Sequence, residues 1–303
     1  METILATGGY DEKVVLWNAK SEVAARIIQV KDVHVNCLGV TPDRQYLAVA
    51  AHKTLKLFDL NSNSPAPAHS YEGHTGNITS IGFSKKSNWF YTASEDGSIK
   101  IWEFTTHKPQ RSYDRLSGVN SVALHPNQSE LIAGYDNGEI GIWDLANSVN
   151  RAWLQTDDTI RSVQIAGDAS FGIFANNSGF VSLMSLEGEG FNIIDRIQAH
   201  NTYITKCTLS TEGKLLATCS ADKTVKIWNV NPSGEEAISL DKALIGHKMW
   251  VWDAAFTVEK SFIATCSTDG TAKLWEVATG RIIRNYIGVH TKGIISLVLN
   301  DYS

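Results

Sequence analysis

The chain has 303 residues, 43% of them hydrophobic and 19% charged, with a net charge of −5. That balance excludes a disordered chain, which carries fewer apolar residues and more charge, and it gives no electrostatic reason to bind nucleic acid, which shows as a basic patch or stripe. No apolar run approaches a membrane span, and METILATGGYDEK at the start carries acids in place of a basic-then-apolar targeting signal.

In chain order, ILATGGYD reads as a strand entering a turn, and KVVLWNA as its hairpin partner. HKTLKLFDL repeats that closing pattern, and NSNSPAPAHS at 61–70 holds prolines where a linker joins a third strand to a fourth. NITSIGF, WFYTAS and SIKIWEF follow as β-branched and aromatic runs, the last two separated by the hairpin signal EDG. YDNGEIGIWDL, the degenerate NSGFVSLMSL, SADKTVKIWNV and STDGTAKLWEV continue the pattern. The closing position falls at Trp17, Phe58, Trp102, Trp143, Met184, Trp228 and Trp275, at intervals of 41, 44, 41, 41, 44 and 47 residues. Seven strand-rich units at that period predict an all-β, seven-bladed β-propeller, one blade per unit, with residues 1–303 forming a single domain.

The ends are incomplete in complementary ways. The chain opens on a second-strand pattern, and IISLVLN at 294–300 is an orphan innermost strand introduced by His290. Together they make one blade, which predicts a ring closed by its N- and C-terminal strands, with no unclosed sheet edge.

A polar set recurs in register. His74, His200 and His247 each precede an Asp (Asp96, Asp222, Asp269) by 22 residues, and each Asp precedes its Trp (Trp102, Trp228, Trp275) by 6. Ser94, Ser220 and Ser267 lie two residues before the Asp, while Asp11 and Trp17 keep the spacing of 6 with His290 arriving from the other end and Gly9 in place of the serine. Asp, His, Ser and Trp in this arrangement resemble a hydrolase constellation, but a catalytic set occurs once and this one repeats. The expected role is structural: a carboxylate–imidazole–serine–indole chain that satisfies buried polar groups, complete in three blades and partial in the sewn one. His52, Asn137 and Ser178 stand for Asp in blades two, four and five. Those blades are expected to rely on apolar packing and to be locally looser.

Other residues invite weaker readings. The cysteines Cys37, Cys207, Cys219 and Cys266 have no metal-ligand spacing and read as reduced structural thiols of a cytosolic or nuclear protein. Histidines spread about one per repeat predict no metal site. NGEIG at 137–141 and GEGF at 188–191 lack the strand–loop–helix context of a phosphate loop, so no cofactor is expected. Loops entering the innermost strands offer candidate partner-binding positions beside the central opening: His34, Asn77, Tyr203 and Trp250, with Tyr10, Glu95, Asp136 and Thr268 before the turn acids. Tyr10, Tyr203 and Trp250 are the candidate anchors, because Tyr and Trp dominate interface hot spots. Trp252 reads as core.

The histidine starts, Ser-x-Asp turns and Trp-Asp-like endings resemble the WD-repeat family over the whole chain. LFDLNSNSPAPAHSYEGHTGNITSIGF, LHPNQSELIAGYDNGEIGIWDL, AHNTYITKCTLS and GHKMWVWDAAF further resemble the G-protein-β-like subunits of target-of-rapamycin (TOR) kinase complexes. That resemblance implies a non-catalytic scaffold whose partners are the TOR kinase catalytic domain and other subunits of the complex. It implies a cytoplasmic protein, peripheral on vacuolar, lysosomal or other endomembranes through the complex, with neither nucleic-acid binding nor membrane insertion. The residues alone leave open a substrate-receptor or trafficking propeller, which an added recruitment module would favour. A propeller hydrolase would need a unique polar cluster in the channel.

Overall fold

Among the described residues, runs of Val, Ile, Thr and aromatic residues broken by short polar turns form twenty-eight strands in seven four-stranded antiparallel sheets. The computed structural model describes residues 4–31, 33–86, 88–186 and 191–301. From the channel outward, blade one is Ile294–Asn300, Ile4–Gly9, Lys13–Asn18 and Ala24–Gln29. Blade two is Val35–Val40, Tyr46–Ala51, Thr54–Asp59 and His69–Glu72. Blade three is Ile78–Phe83, Trp89–Ser94, Ser98–Glu103 and Arg111–Asp114, and blade four is Val119–Leu124, Glu130–Tyr135, Glu139–Asp144 and Val149–Gln155. Blade five is Ile160–Ile165, Phe171–Asn176, Phe180–Ser185 and Asn192–Gln198; blade six is Ile204–Leu209, Leu215–Ser220, Thr224–Val230 and Ile238–Ile245. Blade seven is Val251–Phe256, Phe262–Ser267, Ala272–Glu276 and Ile282–Tyr286.

Blade one joins the two ends of the chain. Ile294–Asn300 pairs with Ile4–Gly9 in the register Ile4↔Asn300 to Gly8↔Ser296. The ladder then shifts, so that Gly9 faces Ile294. A Cβ on Gly9 would meet the Gly293 carbonyl oxygen at 2.3 Å, which explains why glycine stands where blades three, six and seven carry serine. The equivalent bulge recurs in every blade, leaving one extra residue on each innermost strand. Bulges re-aim side chains, and here they do so at the channel.

The core lies between blades. Seven buried clusters each join two neighbours, and together they complete the circuit. Trp102 of blade three packs on Leu55, Leu57 and Tyr71 of blade two, and Trp17 of blade one on Ala264, Cys266 and Tyr286 of blade seven. Trp17, Trp102 and Trp275 are almost wholly buried. Burying one large apolar side chain contributes about 1.5–3 kcal/mol, so the closing position of the repeat is the main fastener between adjacent sheets.

Two departures from the repeat are visible. Blade two turns through His52–Lys53 with Ala51 paired to Thr54, one residue fewer than the three-residue turns such as Glu95–Asp96–Gly97. His52 therefore does not take the place of Asp in that turn; it sits at φ 52° and its Nδ1 meets Asn77 Oδ1 at 2.7 Å. In blade five the closing Met184 is fully buried against Gly172 and fills the place of the indole. Residues 188–190 of the GEGF segment lie outside the described residues.

Candidate functional site

The recurrent polar sets are present, with one change of partner. His74 Nδ1 meets Asp96 Oδ2 at 3.0 Å, but its Nε2 meets Thr92 Oγ1 at 2.7 Å, and Trp102 Nε1 donates to the same threonine at 2.8 Å. The sequence reading assigned that relay to Ser94. The structure assigns it to the threonine two residues earlier on the same face of the strand. Thr218 serves His200 and Trp228, and Thr265 serves His247 and Trp275. In the sewn blade, His290 meets Asp11 at 2.9 Å and Thr7 at 2.8 Å, and Trp17 donates to Thr7. The count is therefore four complete sets, not three and a partial one; Gly9 leaves the relay of blade one intact because serine is not part of it. Ser94, Ser220 and Ser267 instead accept the amide of their own turn acid.

One proton arrangement satisfies each set: the indole N–H donates to threonine, the threonine O–H to imidazole Nε2, and imidazole Nδ1–H to the carboxylate. Burial pushes the His74 and His290 pKa values below their ordinary value, against the pull of Asp96 and Asp11. Burial opposes the carboxylates as well. At Asp222, hydrogen bonds from His200 and Thr224 outweigh it and hold the pKa near about 2. Hydrogen bonds from Ser98 and the Thr75 amide likewise lower Asp96. All four relay threonines are fully buried, so the hydroxyl a hydrolase would use as nucleophile is sealed inside the blade. In blade four Ala133 stands at the relay position, and Tyr135, at the position of the serine, accepts from Trp143 Nε1 at 2.8 Å in its stead.

The channel carries a feature that sequence reading missed. The third residue of six innermost strands, Cys37, Ser80, Ser121, Lys206, Asp253 and Ser296, lines the opening, while Ser162 at the same place in blade five donates to the Cys207 carbonyl of blade six. Several of these reach the next blade: Ser296 Oγ accepts from Leu38 N, Ser121 Oγ from Val163 N and Asp253 Oδ2 from Leu297 N, at 3.0–3.2 Å. The bulged residues one level above do the same. Thr79, Asn120 and Thr205 donate to the first carbonyl of the following blade, at Val119, Ile160 and Val251. Lys206 and Asp253 are the charged members of the ring. Burial opposes the charge on both; Asp253 overcomes it at Lys206, whose pKa is raised, whereas burial prevails at Asp253, also raised. Burial pushes the Cys37 thiol up to about 12, which disfavours the thiolate that nucleophilic chemistry needs. All four cysteines are free.

Above this ring the channel opens into a cavity of about 640 Å³ that brings together Tyr10, His34, Asn77, Glu95, Tyr203 and Trp250. Tyr203 and Trp250 meet edge to face, centroids 5.1 Å apart at 90°, and remain 37% and 38% exposed. Trp252 extends the cluster at 5.8 Å from Trp250. It is half-buried and lines the mouth, so the reading of Trp252 as core is only half right. Its indole donates to Thr268 Oγ1 at 2.7 Å, which occupies that hydroxyl. Tyr10 packs on His34 of blade two at 5.6 Å, forming a second aromatic pair. Asn77 bridges His52 and Glu95, and Asp136 accepts from Asn120 at 3.0 Å. Met249, beside Trp250 and 47% exposed, was absent from the sequence reading.

The model of the WD domain, G-beta repeat, matches residues 26–59, 65–103, 107–144, 191–229 and 239–276. Each matched segment is the outermost strand of one blade followed by the inner three of the next, the same frame offset that the sewn blade completes. The chain is 43% identical over 99% of its length to the target of rapamycin complex subunit wat1 of Schizosaccharomyces pombe, 96% of which is covered. It is 41% identical over 99% of its length to all of the target of rapamycin complex subunit LST8 of Saccharomyces cerevisiae. To LST8 of Mus musculus it is 42% identical over 98% of the chain and 95% of that protein. Among solved structures, the Cps50 (Swd1) β-propeller domain of Myceliophteria thermophila superposes with a TM-score of 0.76 at 18% identity, covering 87% of this chain and 88% of that one.

Proposed function

The chain belongs to the WD-repeat family and, within it, to the LST8 family of target of rapamycin complex subunits, and on that premise we propose that it is a non-catalytic scaffold that docks on the catalytic domain of the TOR kinase and supports its active form. The observation that carries the site is the Tyr203–Trp250–Trp252 cluster: large aromatic rings, partly exposed, held against one another at the mouth of a rigid ring. Preformed aromatic anchors bind with little ordering cost. Tyr10, His34, Asn77, Glu95, Asp136 and Thr268 form the surrounding rim, where polar contacts fix orientation more than affinity. On this reading the protein works in the cytoplasm and reaches vacuolar, lysosomal or other endomembranes through the complex, with other TOR-complex subunits as further partners.

Truncating one such anchor costs about 2 kcal/mol or more in binding. Trp250→Ala with Tyr203→Ala should release the TOR kinase in co-purification, while circular dichroism and melting of the free variant match wild type. Lys108→Ala, exposed in the loop before the outermost strand of blade three, should do neither. A folded double variant that retains the kinase would place the interface elsewhere on the ring.

A further inference from the structure

Three blades carry a tyrosine at the same place in the outermost strand: Tyr71, Tyr113 and Tyr286 pair with Leu55, Ile99 and Ala272. Two of them tie their blade to the next one. Tyr71 OH donates to the Phe104 carbonyl at 3.0 Å and Tyr286 OH to the Ala19 carbonyl at 2.9 Å, each acceptor lying two residues after the closing Trp of the following blade. The equivalent acceptor for Tyr113 is the carbonyl of Leu145, two after Trp143. In this blade that carbonyl accepts from Arg111 of the same strand instead. The Tyr113 hydroxyl, on a side chain 3% exposed, is left with no partner. Blade seven has a similarly placed arginine, but Arg284 reaches one residue further, to the Lys20 carbonyl, and leaves Ala19 to the tyrosine.

Arg111 and Tyr113 lie in a cleft of about 400 Å³ between blades three and four. It opens among the loops that follow the closing strands, on the face opposite the channel mouth. Trp89, Ile101, Leu145 and Ala146 give it an apolar wall, and Arg111 supplies an exposed cation. A buried donor without an acceptor is a costly state, and it has a local remedy. If an anion draws the guanidinium away, the phenol can take Leu145 as Tyr71 and Tyr286 take theirs. Releasing Arg111 thus exchanges its hydrogen bond for another and removes the orphan.

We propose that this cleft is a second docking site, on the face away from the aromatic cluster, for an extended protein segment that places a carboxylate beside an aliphatic side chain. The aliphatic group fills the wall of Trp89, Ile101 and Leu145; the carboxylate pairs with Arg111, whose planar fork suits it. Glu103, the acid on the rim, opposes the incoming charge.

The test uses the full chain and fluorescent Gly/Ser decapeptides carrying a single Leu–Asp pair, with Leu–Asn and Ser–Asp peptides as controls. Leu–Asp should bind saturably, and each control about ten-fold more weakly or not at all. Arg111→Ala should abolish the preference for Asp over Asn, and Glu103→Gln should tighten Leu–Asp binding. Tyr113→Phe should leave the melting temperature unchanged or raised, whereas Tyr71→Phe lowers it, and should weaken the Leu–Asp peptide a few-fold because the exchange then gains nothing. Absence of saturable binding up to about 1 mM peptide, or binding indifferent to Arg111→Ala, overturns the proposal. So does a Tyr113→Phe variant that melts as early as Tyr71→Phe, since the phenol would then already be bonded.

Discussion

Thr92→Val separates the two accounts of the polar sets. Valine keeps the shape and β-branching of threonine but removes the one oxygen that meets both His74 Nε2, at 2.7 Å, and Trp102 Nε1, at 2.8 Å. Both ring nitrogens are then buried without a partner. An orphaned buried group costs about 1–3 kcal/mol, and because the two share a network the sum falls short of additive, at about 2–5 kcal/mol. Cooperative unfolding of 303 residues carries an entropy of roughly 0.6 kcal/mol/K. The melting temperature should therefore fall by roughly 3–8 °C. Ser94→Ala removes only an acceptor for the Asp96 amide, for about 1 kcal/mol and roughly 2 °C. Differential scanning calorimetry of both variants decides the matter. Equal losses, or a larger loss for Ser94→Ala, would refute the threonine relay.

Stability should also follow pH with a predictable sign. The pKa values of His74 and His290 are lower in the folded than in the unfolded chain, so stability begins to fall as pH drops below the unfolded value of about 6.5. Asp222, held near about 2 against an ordinary 3.8, adds a second loss between those values as acid is added, which Asp222→Asn should remove. Urea midpoints measured across that range check both limbs, and a flat profile down to pH 3 would contradict them. Deleting 290–303 removes the innermost strand of blade one and the His290 partner of Asp11 and Thr7; limited proteolysis should find the truncated protein cleaved rapidly, and resistance equal to wild type would defeat the sewn ring. His52→Asp should shift stability by no more than about 0.5 kcal/mol by denaturant melting, since it exchanges one exposed bond to Asn77 within a two-residue turn. A large gain would mean that the turn had been rebuilt on the three-residue pattern.

The blade count and the sewn ends were legible because each closing residue is a large side chain at a fixed interval, and packing between sheets demands one there. The relay was misread because Thr92 and Ser94 are both hydroxyls on one face of one strand, and spacing cannot tell which is closer to the imidazole. The clue was present: threonine occurs at that position in all four sets, including Thr7, whereas serine gives way to Gly9. The short turn of blade two could not be seen, since loss of one turn residue leaves the interval from Trp17 to Phe58 ordinary. The channel ring escaped for a different reason. Its members are Cys, Ser, Lys and Asp, one per repeat, and their common role exists only where seven strands converge. The aromatic cluster was half legible: Tyr203 and Trp250 share a repeat position, but the partnership of Tyr10 with His34 depends on how blades one and two meet.

The sewn blade also sets a clock. Of the strands described, Ile4–Gly9 leaves the ribosome earliest and its ladder partner Ile294–Asn300 latest. At about 5–20 residues per second the first waits on the order of 15–60 s for the last. Throughout that interval one side of Ile4–Gly9 is an unpaired edge, and Trp17 lacks the shelter of Ile294 and Leu297, as does Ala264 once it is made. Exposed edges and apolar faces recruit other chains. A nascent ring thus remains open to such recruitment until it closes, and a chain stopped after blade seven but before residue 294 keeps that edge unpaired.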